Sequence, residues 1–297
     1  MDDPIIQNLI AWAERRDSVR AVLLTSTRTI PGAQLDPFSD YDVILAVSDV
    51  RPYFEDRAWL GAFGPVLAVY RDPLREDGGF ERFAYITQYE NDRLKIDFTV
   101  IQAGWLRHVV EMSALPDELD IGYRVLLDKD GLTSGLRPPT HTAFIPTPPA
   151  EALYLERIEV FLHEATYVAK NIWRDELLPA KYSLDHVMKL KFVGQMLEWR
   201  MGLETGWSVK TGALGKGLKQ HTPPELWRAL EDTYVGASAA ENWDALFNTI
   251  ELYRQVAIKV GEQLGYAYPH ALHRRMIAYL EGVKALEPNA SPGITPH

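Results

Sequence analysis

Cysteine is absent from this 297-residue chain. That excludes disulfides and thiolate metal sites, and it accords with a cytoplasmic location. No apolar run approaches the length a bilayer span requires, so no membrane association is expected. The opening stretch, Met1 to Ser18, is acidic and then amphipathic, which is not the pattern of a secretory leader. A dense Lys/Arg stripe is also missing: Lys and Arg number 31 against 41 Asp and Glu, for a formal net charge of −10. Such a surface repels a phosphate backbone, so nucleic acid is not an expected partner, and it draws in cations, divalent metals and polyamine-like molecules included. His163 and His186 lack His-Glu-x-x-His spacing, which argues against a zinc site. Gly212-Ala-Leu-Gly-Lys-Gly217 lacks the full Gly-x-x-x-x-Gly-Lys-Ser/Thr pattern and follows no buried strand, so it is not a P-loop.

What the chain does have is the balance of a globular protein, 46% hydrophobic and 24% charged, in two stretches of different character. The first alternates helix and strand. Ile5 to Arg16 has an amphipathic period, and Val19 to Leu24 is a short apolar run suited to a buried strand. After the turn-rich Thr29 to Pro37 comes Asp40-Tyr-Asp-Val-Ile-Leu-Ala-Val47, β-branched and of strand length. Further strands are expected over Pro65–Tyr70, Phe83–Tyr89 and Arg93–Val100. In the last, Leu94, Ile96, Phe98 and Val100 alternate with Arg93, Lys95, Asp97 and Thr99. The proline-dense segment Arg137 to Pro149 then breaks all periodicity and suggests a linker. Beyond it, Ile158, Phe161, Ala165, Val168 and Ile172 keep helical spacing, as do Tyr182 to Met201 and Trp243 to Leu264. The expected organisation is α+β: a sheet domain over 1–149, an α-helical bundle over 150–286 and a flexible tail over 287–297.

Asp40 and Asp42 stand two residues apart on a strand, so their side chains leave the same face. Paired carboxylates repel unless a cation stands between them, and hard oxygen donors suit Mg²⁺. Asp97 is a third carboxylate, set mid-strand where a charge is costly without a partner. If its strand lies beside that of Asp40, the three acids converge on a spot able to hold metal ions against a phosphoryl transfer. Ser26-Thr-Arg-Thr29 directly follows a buried strand, where open sheets place ligand-binding turns. Ser26, Thr27 and Arg28 are therefore candidates for holding phosphates.

The ordered set of a small turn, Asp-x-Asp on the next strand and a later carboxylate strand resembles the nucleotidyltransferase superfamily. Within it the chain resembles the aminoglycoside 6-adenylyltransferases, also called streptomycin adenylyltransferases. The matching stretches are Ser26-Thr-Arg-Thr-Ile-Pro31, Asp40-Tyr-Asp42, Leu94-Lys-Ile-Asp-Phe98, Asn171-Ile-Trp-Arg-Asp-Glu-Leu177, Ala180-Lys-Tyr182, Gly206-Trp-Ser-Val209, Gly215-Lys-Gly-Leu-Lys219 and Trp243-Asp-Ala-Leu-Phe247. The resemblance implies a nucleotidyltransferase-like mixed β-sheet with flanking helices, followed by the helical bundle. It implies ATP as co-substrate, Mg²⁺ on Asp40, Asp42 and Asp97, and a small cationic acceptor such as streptomycin. The helical domain would grip that acceptor through Asp175 or Glu176, one of which could serve as general base. Lys181, Lys216 and Lys219 are its candidates for phosphate contacts. In one place the chain departs from the family: the glycine of the phosphate-binding turn is replaced by Ser26, while Thr27 keeps the hydroxyl. Two other readings stay open. One is the same fold acting on a different hydroxyl, of a lincosamide, an RNA end or a protein side chain. The other, suggested by the lost glycine, is a nucleotide-binding protein without catalysis.

Overall fold

A computed structural model describes residues 3–91 and 93–287. The expected tail over 287–297 therefore lies outside the described residues except for Glu287. The chain divides into two compact units, the first ending at Phe144 and the second beginning at Ile145, inside the proline-dense segment. Among the described residues no helix is long and apolar enough to cross a membrane.

The first unit opens with α1 (Pro4–Glu14), which begins where the sequence supplies a start signal. Asp3 caps it by accepting from the amides of Ile5 and Ile6, and proline occupies the first helical position, where no amide is needed. Its Ile6, Leu9, Trp12 and Ala13 are buried on one face against the sheet. Each large side chain so buried contributes roughly 1.5–3 kcal/mol relative to exposure. The strands are β1 (Val19–Thr25), β2 (Tyr41–Val47), β3 (Val66–Arg71), β4 (Arg75–Asp77), β5 (Phe80–Tyr89), β6 (Lys95–Gln102) and β7 (Tyr123–Asp128). Short helices α2 (Arg51–Glu55), α3 (Gly104–Glu111) and α4 (Asp117–Asp120) join them.

The sheet is mixed, ordered β3-β5-β6-β2-β1-β7, with β4 hydrogen-bonded to β5. Among the described residues only β2 and β6 run parallel; the other strand pairs are antiparallel. Both faces of the central strands are covered. Tyr41, Val43, Leu45 and Val47 join Ile96, Phe98 and Val100 on the face that packs under α1. Ile44, Ala46 and Ile101 pack on the opposite face with Trp105, Leu106 and Val109 of α3. Asp42 and Asp97 belong to this second face by their two-residue spacing, at its end where the apolar cover stops. The strands expected from the sequence are present with boundaries moved by one to three residues. The edge strand β7 and α3 were not anticipated. β7 is only half-buried along its length, so its alternation is weak.

The second unit is helical: α5 (Glu151–Trp173), α6 (Leu177–Lys181), a π-helical stretch (Tyr182–Val193), α7 (Gly194–Thr205), α8 (Leu218–His221), α9 (Pro224–Glu231), α10 (Ala239–Leu264) and α11 (His270–Lys284). The predicted single helix over Tyr182 to Met201 is thus a π-helix continued by an α-helix. The difference lies in the hydrogen-bond ladder, which apolar spacing does not report. Its core runs through Tyr154, Ile158, Phe161, Met188, Met196, Tyr253 and Val256. Phe161 and Tyr253 stack with ring centroids 3.7 Å apart. The Tyr154 hydroxyl satisfies itself on the Ala257 carbonyl at 2.8 Å.

Candidate active site

The carboxylates expected to converge do so through strand register. β2 and β6 run side by side with Asp42 opposite Asp97, and on its other side Asp42 pairs with Thr25 at the end of β1. Asp40 lies immediately before β2. One strand start therefore gathers Asp40, Asp42, Asp97 and the Ser26–Thr29 turn.

The sequence reading missed the residue at the centre of this group. Lys95 directs its Nζ to Asp40 Oδ2 at 2.6 Å and to Asp97 Oδ2 at 2.8 Å. It lies two positions before Asp97, on the same face of β6, so the alternation that revealed Asp97 also marked Lys95. The signal was visible, but alternation assigns Lys95 a face and not a partner.

Three carboxylates with one ammonium leave the cluster with excess negative charge. Burial is the main cause that raises the Asp42 carboxyl to about 6, and repulsion from Asp97 and Asp40 adds to it. A hydrogen bond from the Ser26 side chain and the charge of Lys95 act in the opposite sense. Asp97 is also raised, chiefly by burial, with Lys95 opposing.

The turn that precedes β2 is a single 3₁₀ turn, Ser26–Thr29. Ser26 stands at φ 62°, in the left-handed region that glycine enters without penalty. Ser26 thus keeps the backbone geometry of a glycine with a side chain attached, and that side chain helps to hold the Asp42 carboxyl down. The Ser26 amide donates to the Gly122 carbonyl at 3.2 Å. A Cβ at Gly122 would come within 2.7 Å of Thr29 Oγ1, so only glycine fits beneath the turn. Thr27 is exposed at the tip. Arg28 is turned back into the fold: its Nε donates to the Asp40 carbonyl at 2.9 Å, its Nη2 to the Ser39 carbonyl at 2.8 Å, and it stacks 3.6 Å from the Tyr41 ring centroid. Its observed work is to fix the approach to Asp40.

Whether these residues suit a divalent cation can be judged from the donors. All three acids offer hard oxygens, and Asp97 Oδ1 is buried without a hydrogen-bond partner. An unpaired buried carboxylate oxygen is costly unless a cation uses it, so the donor set fits Mg²⁺. Among the described residues, no three acidic or histidine side chains form a ready metal cage. Lys95 claims one oxygen each of Asp40 and Asp97.

The second unit places its candidates differently. Asp175 and Glu176 are exposed in the bend after α5, with Asp175 at φ 59°. They line a shallow pocket with Ile172, Leu177, Ala180 and Asn242. Lys181 is drawn inward: its Nζ donates to the Val235 carbonyl at 2.9 Å and lies 2.7 Å from Asp185 Oδ2. Asp185 also holds Lys189, whose side chain is fully buried and bonds the Thr233 carbonyl. Burial lowers the Lys189 ammonium below the usual lysine range, although Asp185 opposes this. Lys219 pairs with Glu231 at 2.9 Å. Lys216 is exposed, in a loop closed by the bond from the Gly212 amide to its carbonyl. A separate cleft of about 360 Å³ is lined by Arg157, Lys191, Phe192, Gln195, Glu198 and Leu214, among others. None of these was singled out from the sequence.

A mixed sheet that brings an Asp-x-Asp pair beside a third strand-borne carboxylate, next to a tight hydroxyl-bearing turn, has the layout of a nucleotidyltransferase. Comparison with known proteins narrows this further. The streptomycin adenylyltransferase family pattern matches residues 2–283, and the chain belongs to that family. It is 28% identical over 269 residues to an aminoglycoside 6-adenylyltransferase of Campylobacter jejuni, covering 88% of each chain. It is likewise 28% identical over 275 residues to one of Bacillus subtilis, covering 92% of this chain and 94% of the relative. A crystal structure of an aminoglycoside 6-adenyltransferase from Bacillus subtilis aligns over 96% of this chain and 100% of its own, at 24% identity and a TM-score of 0.45.

Proposed function

We propose that the protein transfers AMP from ATP to a hydroxyl of an aminoglycoside, with streptomycin the first acceptor to test, and that the transfer depends on Mg²⁺. The observation that supports this most is the register that sets Asp42 beside Asp97 with Asp40 next to them, within a chain that matches its family nearly end to end. Mg²⁺ held by Asp40, Asp42 and Asp97 would offset the charge of the triphosphate and of the oxygens that gain charge as it reacts.

The remaining work falls to the chain's own groups. Exposed Thr27 offers its hydroxyl to the phosphates, and the Ser26 side chain steadies the Asp42 carboxylate. The acceptor hydroxyl oxygen forms a bond to the α-phosphorus, the bond from that phosphorus to the β-phosphate oxygen breaks, and pyrophosphate leaves. The hydroxyl proton passes to a carboxylate of the site, the role expected of Asp97. On the helical unit, exposed Asp175 and Glu176 are the groups assigned to guanidinium or ammonium substituents of the acceptor. Lys216 is the more available of the two loop lysines for a phosphate, since Lys219 is engaged by Glu231.

The test is mass spectrometry of a panel of aminoglycosides incubated with the protein, ATP and Mg²⁺. The expected result is an acceptor carrying one added AMP, with an equal yield of pyrophosphate. No adduct on any aminoglycoside, with ATP binding measured by calorimetry, would overturn the acceptor class.

A further inference from the structure

We infer that Lys95 is a tethered counter-ion of the carboxylate cluster, one that a divalent cation must displace from Asp40 and Asp97, so that this side chain sets the cation affinity of the site. The inference rests on the metal reading proposed above and goes beyond it by assigning a role to a residue that reading does not use.

The geometry carries it. Nζ of Lys95 lies 2.6 Å from Asp40 Oδ2 and 2.8 Å from Asp97 Oδ2, so one ammonium bridges two acids that come from different strands. Bridging of this kind is what a metal ion would otherwise do. An ammonium and a divalent cation cannot both take the same carboxylate oxygens, and two cations brought that close repel. Lys95 reaches the acids on a flexible four-carbon stem and keeps about 29% of its side chain exposed, so it can swing out toward solvent as a cation takes its place. Its hold is also incomplete. Asp97 keeps its second oxygen buried and unpaired, and Asp42 receives no hydrogen bond from Lys95, so a cation has an initial foothold before it competes for the rest. A tethered lysine of this kind holds mutually repelling acids together when no metal is bound. The cost is a lower affinity for the metal.

A purely structural lysine and a displaceable counter-ion give opposite results on removal. The measurement is calorimetric titration with Mn²⁺ alone, comparing wild type with Lys95→Met and Lys95→Gln, plus thermal melts of each protein in EDTA and in saturating Mn²⁺. Removing the ammonium is expected to tighten Mn²⁺ binding by about ten-fold. In EDTA the variants should melt below wild type, and Mn²⁺ should close most of that gap. Mn²⁺ binding that is unchanged or weaker in both variants overturns the inference and leaves the metal reading standing. Absence of Mn²⁺ binding in all three proteins overturns the metal reading and the inference together. If Lys95→Met does not fold, the polar, uncharged Lys95→Gln decides by the same criterion.

Discussion

Each unit contains a cluster of opposite charges built around lysine, and the two are balanced in opposite directions. At the sheet, Lys95 faces three carboxylates, and the surplus is negative. In the helical unit, Asp185 faces Lys181 and Lys189, and the surplus positive charge is absorbed by the carbonyls of Val235 and Thr233. The helical cluster is closed, because its donors are bonded to protein oxygens. The sheet cluster is open, with one buried oxygen of Asp97 unpaired and Asp42 raised to about 6. A cluster with unmet demand can bind something; a cluster whose groups are all paired holds a fold together. The difference separates the candidate chemistry from the scaffold better than residue type does, since both clusters are made of Asp and Lys.

The largest effect tests that division on the open side. Asp42→Asn should lower AMP transfer by about 1,000-fold while leaving the protein folded. The same variant should be more stable than wild type near pH 7.5, by on the order of 2 kcal/mol. The sign follows from proton binding. The folded protein holds the Asp42 proton up to about pH 6 and the unfolded chain only to 3.8. Stability contributed by this group is therefore present at low pH and falls as pH rises from about 4 to 6. The gain in Asp42→Asn should shrink to nothing near pH 4 in denaturant titrations. Retained turnover, or a loss of stability at pH 7.5, would place Asp42 among the structural residues instead.

On the closed side the opposite is expected. Asp185→Asn leaves the fully buried Lys189 without its counter-ion and should destabilise the protein by about 3 kcal/mol in equilibrium unfolding. A loss well below 1 kcal/mol would show that Lys189 is not held as described, and the comparison between the clusters would fail. The smallest effect concerns the turn. Ser26→Gly and Ser26→Ala both remove the hydroxyl from Asp42, but only glycine relieves the left-handed backbone at φ 62°. The glycine variant should exceed the alanine variant by about 1 kcal/mol. Equal stabilities would mean that the turn relaxes out of that conformation.

The sequence made the open cluster far more legible than the closed one, and the reason is geometric. Strand alternation is a two-residue rule, so Asp40 with Asp42, and Asp97 with its apolar neighbours, were placed on their faces with little ambiguity. Parallel pairing of β2 with β6 then required only that the two strands be adjacent. Lys95 obeyed the same rule and was missed as a partner, because alternation assigns a face but not the contact across it. Lys181 was harder to read. Its partners Val235 and Asn242 lie more than fifty residues along the chain, and nothing local announces them. Arg28 was taken for a phosphate ligand from its position in a turn, whereas its guanidinium is occupied by the backbone ahead of Asp40. The left-handed geometry of Ser26 was not legible, because serine seldom enters that region and nothing local announces it.

The parallel pairing of β2 with β6 has one more consequence. A parallel pair cannot be joined by a tight hairpin, so the chain must make a long excursion between Val47 and Lys95, through α2 and β3 to β5. The link over 72–74 on that excursion, between β3 and β4, can lengthen at a modest loop-closure cost, because the register of Asp42 against Asp97 is set by the strands and not by the path between them. The acid cluster is thus insulated from insertion and deletion nearby in sequence. A lineage could remodel this stretch of the first unit's surface freely while its three carboxylates kept their spacing.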